Sequence, residues 1–333
     1  MINISTYKDY QYFGVLADMC ENFVKEKRAV GYLYNAEAKK LSEFSRFSTD
    51  FKIPNKALTE EVVRAWIAKK PVEAYRNQHT RFSLIKQFAE YMRRLGYPSF
   101  CPTSDDIGKY RKNYVPYIFT HDEIRRFFAI TDNMQKARCT NAPRKHLIMP
   151  VVFRLLYCCG LRISEALGLH RKDVDLKTGI LTIRKSKFGK TRYVPISDEM
   201  LHTCAKYAKT KLVAENKSDW FFPAPDGGIY HIQSFYVTFR AALWEAGISH
   251  GGRGKGPRLH DFRHTFAVHC LQKWVRDEKD LTTALPRLSA YLGHNGLQST
   301  EQYLRMTAEV YPEISVRLQE KYGYIIPQGG FDQ

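Results

Sequence analysis

Apolar residues return every three or four positions along most of this 333-residue chain, and only residues 179–196 keep a different rhythm. Side chains at i, i+3 and i+4 share one face of a helix, so the chain is constrained to a mainly helical fold with one strand-forming interruption. The first stripe runs through Phe13, Leu16, Ala17, Cys20, Phe23 and Val24, and the second uses Leu33, Leu41, Phe44 and Phe47. Thr59 is placed to cap a short helix carrying Val62, Val63, Trp66 and Ile67, and a longer helix follows with Phe82, Ile85, Phe88, Ala89 and Met92. The first hundred residues thus read as a bundle of four or five helices.

The rhythm then breaks at Gly96, Pro98, Pro102, Gly108 and Pro116, around a basic cluster of Lys109, Arg111 and Lys112. This predicts a helical domain over 1–97, a linker over 98–116 and a second domain over 117–333. A basic linker suits a protein that closes on a duplex as a clamp, with Lys109, Arg111 and Lys112 as contacts; a solvated hinge is the alternative. Thr120 and Glu123 form a capping-box pattern ahead of Ile124, Phe127 and Phe128, and helices dominate again. Within 179–196, ILTIRK and TRYVPIS are strand-like runs separated by SKFGK, whose Gly189 suits a turn. Pro195 confines the second run to a sheet edge or a strand end. The expected fold class is mainly α with a small β-hairpin.

Composition narrows the partner. Lys and Arg number 52 against 34 Asp and Glu, a net charge of +18 that favours a polyanion, and nucleic acid first. The 14% aromatic content points to a folded basic surface rather than a polycationic tail. Lys39, Lys40, Lys69, Lys70, Arg76, Arg81, Lys86, Arg93 and Arg94 are interleaved among the first stripes, facing either DNA or solvent. Seven cysteines without a C-x-x-C pair argue against a disulfide framework or a four-cysteine zinc site and fit a reducing cytosol; Cys158 and Cys159 are expected to pack. The N-terminus has no basic segment followed by an apolar run, and the longest apolar stretch, 147–153, holds Pro150 and stops at Arg154. Neither export nor membrane spanning is expected, and a cytoplasmic protein is.

Six residues of the second domain carry chemistry in their local context. Arg162 follows Gly160, a plausible helix break, with Ser164 as the cap of the next helix; its forked guanidinium suits a phosphoryl group, or a pairing with Glu165. Lys187 sits in the predicted turn among Lys185, Lys190 and Arg192, a tip suited to phosphate contacts or to proton donation. His260 and Arg263 lie three apart on one helix face. A zinc site at His260 and His264 is the competing idea, weakened because the glutamate of H-E-x-x-H is missing. His294 ends an amphipathic stretch over 285–292 with Pro286 near its start, and nine residues later comes Tyr303, preceded by a capping-box pattern at Ser299 and Gln302.

Together GLRISEALGL, the lysine hairpin, HDFRHTFA and LGHNGLQSTEQYL resemble the catalytic domain of the tyrosine recombinases, the phage integrase family. The likeness covers about the last two thirds of the chain with four motifs in order. The first part is similar to the family's helical core-binding domain in type and placement, and the two-domain group is the closer likeness. The resemblance implies a phosphate-binding arginine at Arg162, a general acid at Lys187, a His-x-x-Arg pair at His260 and Arg263, a second histidine at His294, a tyrosine nucleophile at Tyr303, and support from Glu165. It implies strand cleavage and rejoining through a 3′-phosphotyrosine, without a cofactor or metal. Its partners would be double-stranded DNA sites, a homotetramer spanning two of them, and accessory DNA-bending proteins. An apolar stripe at Val310, Ile314, Leu318 and Tyr322 would dock on a neighbouring protomer or on its own domain. A type IB topoisomerase and a noncatalytic DNA-binding regulator are the rival readings.

Overall fold

The computed structural model describes residues 7–108, 115–135, 144–184, 191–210, 218–252 and 256–294, with Tyr303, Leu304, Met306 and Thr307. The chain divides into two compact units, residues 1–114 and 115–333.

In the first unit four helices enclose one core: α1 (Ala17–Ala29), α2 (Asn35–Phe47), α3 (Glu60–Ile67) and α4 (Tyr75–Arg94). The expected stripes face inward, with Phe23, Phe44, Trp66 and Phe88 in edge-to-face contact at centroid separations of 5.3–6.2 Å. Thr59 caps α3 by accepting from the Val62 amide. Phe13 and Leu33 fall outside the helices their stripes suggested, and Leu33 is exposed.

Two expectations for this unit are corrected. Pro98–Gly108 does not behave as a linker. Leu58 donates to the Pro98 carbonyl at 2.9 Å and accepts from Phe100 at 2.8 Å, Asp106 pairs with Arg64 at 2.6 Å, and Ile107 is buried in the core. The prolines and glycines there mark turns against the bundle. Arg81 faces neither DNA nor solvent: it is 4% exposed, paired with Glu73 and donating to the Ala68 carbonyl. Lys109, Arg111 and Lys112 lie outside the described residues.

The second unit is mainly helical with one small sheet: α5 (His121–Asp132), α6 (Lys145–Cys158), α7 (Ile163–Leu167), strands β1 (Val174–Asp175), β2 (Ile180–Ile183) and β3 (Arg192–Pro195), then α8 (Asp198–Ala208), α9 (Ile232–Glu245), α10 (Asp261–Arg276) and α11 (Leu281–Leu292). Rings of Phe119, Phe127, Phe153, Phe239 and Phe262 fill its centre. α6, buried on nearly every side, runs through them with Pro150 in its interior. The capping box at Thr120 and Glu123 forms in both directions, at 2.8 and 3.2 Å.

The sheet is antiparallel in the order β1-β2-β3, with Leu181 opposite Val194 and Ile183 opposite Arg192. The two expected strands are present, and Pro195 closes β3 at the sheet edge. β1 is an addition, two residues long and too short to leave a periodic signal. Two further expectations change. Arg162, not Ser164, occupies the cap of α7, because the Glu165 carboxylate accepts from the Arg162 amide at 3.0 Å. α11 begins four residues before 285, capped by Asp280, so Pro286 lies inside it. Cys159 packs in the core, whereas Cys158 is exposed. Among the described residues no helix is long and apolar enough to cross a membrane.

Candidate active site

Gly160 fixes the first corner of the site. Its φ of +58° is strained for any residue with a Cβ, and a Cβ there would lie 2.6 Å from the Phe266 ring and 2.8 Å from Leu292. The turn carries the chain into Arg162 and leaves the Gly160 carbonyl pointing inward, where Arg263 Nη1 donates to it at 2.7 Å. Arg263 Nη2 donates to the Leu292 carbonyl at 2.5 Å. That carbonyl is one of those a helix end leaves without an intrahelical partner, so Arg263 caps α11 while crossing the site. At 1% exposure Arg263 is buried as few cations are, and burial, then the nearby Arg162 cation, pushes its pKa down to about 10. It is still charged at neutral pH.

Arg162 Nη1 donates to Glu165 Oε1 at 2.7 Å, and the rest of its guanidinium keeps partial access to solvent. Glu165 also receives Arg192, whose Nη1 and Nη2 meet the two carboxylate oxygens at 3.0 and 2.8 Å. Burial alone would raise Glu165, but hydrogen bonds from Arg192 and the Arg162 amide, with both positive charges, outweigh it and hold the carboxyl at about 2. Arg192 is a correction. Expected as a surface contact to DNA, it has a side chain only 10% exposed and committed to Glu165. Its inward direction follows from the pleat, since Arg192 stands two residues from the buried Val194 on the same face.

The remaining groups come from α10, from the end of α11 and from Tyr303. His260 stands immediately before the first residue of α10, and its ring meets that of His264 edge-on at 4.9 Å. His264 in turn lies 5.6 Å from the Tyr303 ring, and His294 stacks on Tyr303 at 5.9 Å with 21° between planes. His294 follows Gly293, whose φ of +68° ends α11 in the left-handed conformation. Burial first, then neighbouring cations, lowers His260 and His294 to about 4; burial and the flanking His260 lower His264 to about 3. All three rings are neutral at pH 7. The Tyr303 side chain is almost wholly buried, which raises its phenol, while the Arg263 charge and a hydrogen bond from Arg263 pull the other way.

Arg162, Glu165, His260, Arg263, His294 and Tyr303 are therefore brought together around one point, from places spread over 142 residues of sequence. Lys185, Lys187 and Lys190 lie outside the described residues. Sequence reasoning missed two members. In sequence His264 stands out only as a candidate zinc ligand, and no group of three or more metal-binding side chains occurs among the described residues. Arg192 was assigned to the surface although its strand alternation carried the opposite signal. Two arginines, neutral histidines and a buried phenol suit transfer of a phosphoryl group to tyrosine.

Comparison with known proteins decides the family. The profile of the phage integrase family matches residues 118–309. The chain belongs to the phage integrase family. A candidate integrase/recombinase of Sinorhizobium fredii, y4rB, is 30% identical over 308 residues, covering 91% of this chain and 96% of that protein. The tyrosine recombinase XerD of Rickettsia conorii is 25% identical over 312 residues, covering 88% and 94%. Among solved structures, the integrase of transposon Tn1549 in complex with transposon right end DNA has the same fold, with a TM-score of 0.62 at 15% identity over 92% of this chain and 99% of that one. This phage integrase family member is a site-specific DNA recombinase, an enzyme that cleaves and rejoins DNA strands. Neither simple strand relaxation nor a noncatalytic regulator is favoured by these relatives.

Proposed function

We propose that Tyr303 is the nucleophile and that its oxygen attacks the scissile phosphate of a bound DNA site. A Tyr–O–P bond forms, the bond from phosphorus to the 5′ oxygen breaks, and a 3′-phosphotyrosine is left. Arg162 and Arg263 stabilise the charge gathering on the nonbridging oxygens. His260 takes the phenolic proton, Lys187 gives one to the departing 5′ oxygen, and His294 hydrogen-bonds the phosphate. Attack by the 5′ hydroxyl of another strand reverses each step, so strands are exchanged with the ester energy conserved. The observation that carries this reading is the placement of Tyr303, buried between the ring of His264 at 5.6 Å and that of His294, on which it stacks at 5.9 Å.

The electrostatics support the histidine roles. Both rings are neutral before substrate arrives, because burial, and then the two nearby guanidinium groups, make charging them unfavourable. A phosphate diester brings a negative charge to that point and raises their proton affinity as it binds. His260 then becomes a better base when there is a substrate to attack.

At the level of assembly, residues 1–114 serve as the core-binding domain on the duplex, and four protomers act on two sites, aided by accessory proteins that bend DNA. Tail residues 309–333 dock on a neighbouring protomer; deleting them should abolish the paired-site complex in a native gel, and unchanged pairing would refute that role. The enzyme works in the cytoplasm on mobile-element DNA, in integration, excision, transposition or resolution. The transposon integrase and the Xer recombinases among its relatives support this range.

The direct test uses a nicked suicide duplex. Tyr303→Phe should bind its site and assemble with no covalent adduct on a denaturing gel; a persisting adduct would remove Tyr303 from the nucleophile's role. Adduct formation by the unaltered enzyme should survive EDTA. Loss of cleavage that zinc restores would instead favour a metal-dependent reaction.

A further inference from the structure

Arg192 makes three directed hydrogen bonds from one buried guanidinium. Two go to Glu165 in a fork at 3.0 and 2.8 Å, and Nε donates to the Tyr291 carbonyl at 2.9 Å. Tyr291 lies in the last turn of α11, just before the Leu292 carbonyl that Arg263 caps, so the two arginines together satisfy the helix end from which His294 projects. The same guanidinium lies against Gly293: a Cβ on Gly293 would come within 3.1–3.2 Å of Arg192 Nη1, Cδ and Cζ. On its other side Glu165 holds both the amide and the guanidinium of Arg162.

We propose that Arg192 is a positioning residue for strand cleavage: by gripping Glu165 and the end of α11 in one rigid fork, it sets Arg162 and His294 at the separation at which both reach one phosphate. The inference rests on the roles given above to Arg162 and His294. It also gives the hairpin a second task. Arg192 opens β3, pairs with Ile183 across the sheet and stands five residues after Lys187 in sequence, so the strand that follows the lysine-rich segment is anchored in the arginine site. Lysine cannot replace it fully, because an ammonium has no plane in which to meet a carboxylate and a carbonyl together. Direct contact with DNA is the competing role, and the low exposure of the side chain speaks against it.

The test compares full-length variants in two measurements, equilibrium DNA binding and the single-turnover rate of covalent attachment to a suicide duplex. Arg192→Gln should leave Kd unchanged and slow attachment by about 100-fold, the loss that a displacement of roughly 1 Å produces in an aligned site. Arg192→Lys should fall between it and the unaltered enzyme. In a Glu165→Gln background, adding Arg192→Gln should cost little more, because the two act through one contact. A Kd that weakens in step with the rate would make Arg192 a DNA contact, and losses that multiply in the double variant would show that it acts independently of Glu165; either overturns the proposal. Melting temperatures identify a variant that fails to fold. If Arg192→Gln is one, Arg192→Lys decides alone: slowed attachment at unchanged Kd supports positioning, and an unchanged rate refutes it. An adduct persisting in Tyr303→Phe would refute the nucleophile assignment without altering how Arg192 slows attachment, so the two failures are separable.

Discussion

Protonation of single residues governs how this site responds to acid. His260 and His294 sit at about 4 and His264 at about 3 in the folded chain, against about 6.5 when unfolded. As pH falls below about 6.5 the unfolded state binds protons that the folded state refuses, so stability is lost from there downward until the folded values are reached. Glu165 acts in the same direction lower down: its stabilisation is present above its unfolded pKa and disappears as pH falls toward 2. Calorimetry should therefore find a melting temperature about 5 °C lower at pH 5 than at pH 7. His264→Asn should reduce that difference without abolishing it, because His260 and His294 still resist protonation, and an equal slope in the variant would mean that His264 protonates freely when folded. The residue scale is also where sequence was most and least informative. Arg162, His260, Arg263, His294 and Tyr303 announced themselves through local motifs. His264 carries in sequence only a weak zinc signal, its i+4 spacing from His260, because the distant Tyr303 that lies beside it is not visible there. Arg192 was hidden by its lysine-rich neighbours, which suggested a surface, although Val194 two residues on fixed its side of the strand.

Elements meet in this site at two tight turns, and one of them can be tested by adding a methyl group. Gly160→Ala combines a positive φ with a clash against Phe266 and Leu292, and should cost about 2–3 kcal/mol in urea denaturation while displacing the carbonyl that Arg263 holds. Gly96→Ala is the contrast. Its φ is +83°, yet nothing lies within 4 Å of the added atom, so it should cost only about 1–2 kcal/mol and leave cleavage intact. Equal penalties would show that conformation alone, and not the close approach at Gly160, sets the price. Capping signals carried over well at this scale: Thr59, Thr120 and Glu123 work as their spacing implies. Ser164 misled because Glu165 reaches back to the Arg162 amide and starts α7 two residues earlier than a serine cap would. Pro286 misled because packing of Leu281, Leu285 and Leu288 carries α11 through it.

Across the whole molecule charge is the dominant parameter. An excess of +18 on a chain with 52 lysines and arginines should place many cations on phosphates when DNA is bound. With six to ten such contacts, affinity should fall by about 10³–10⁵ between 50 and 200 mM salt, and Tyr303→Phe should follow the same slope as the unaltered enzyme. A nearly flat salt response in fluorescence anisotropy would contradict an electrostatic interface. A division into two compact units was legible because apolar stripes stop and restart around the proline- and glycine-rich segment. Its placement was not: Ile107 and Asp106 bind the first unit through contacts far apart in sequence, which periodicity does not register.

The pairing of Ile183 with Arg192 has a practical meaning for anyone wishing to retarget the enzyme. Any replacement of the residues that join β2 to β3 in sequence must retain Lys187, the proposed general acid, and return β3 in the same phase. A graft that slips β3 by one residue would turn Tyr193 inward and throw Arg192 out to solvent, disabling the site without touching any group that meets DNA. Libraries built in this segment should therefore hold both Lys187 and the phase of β3 constant.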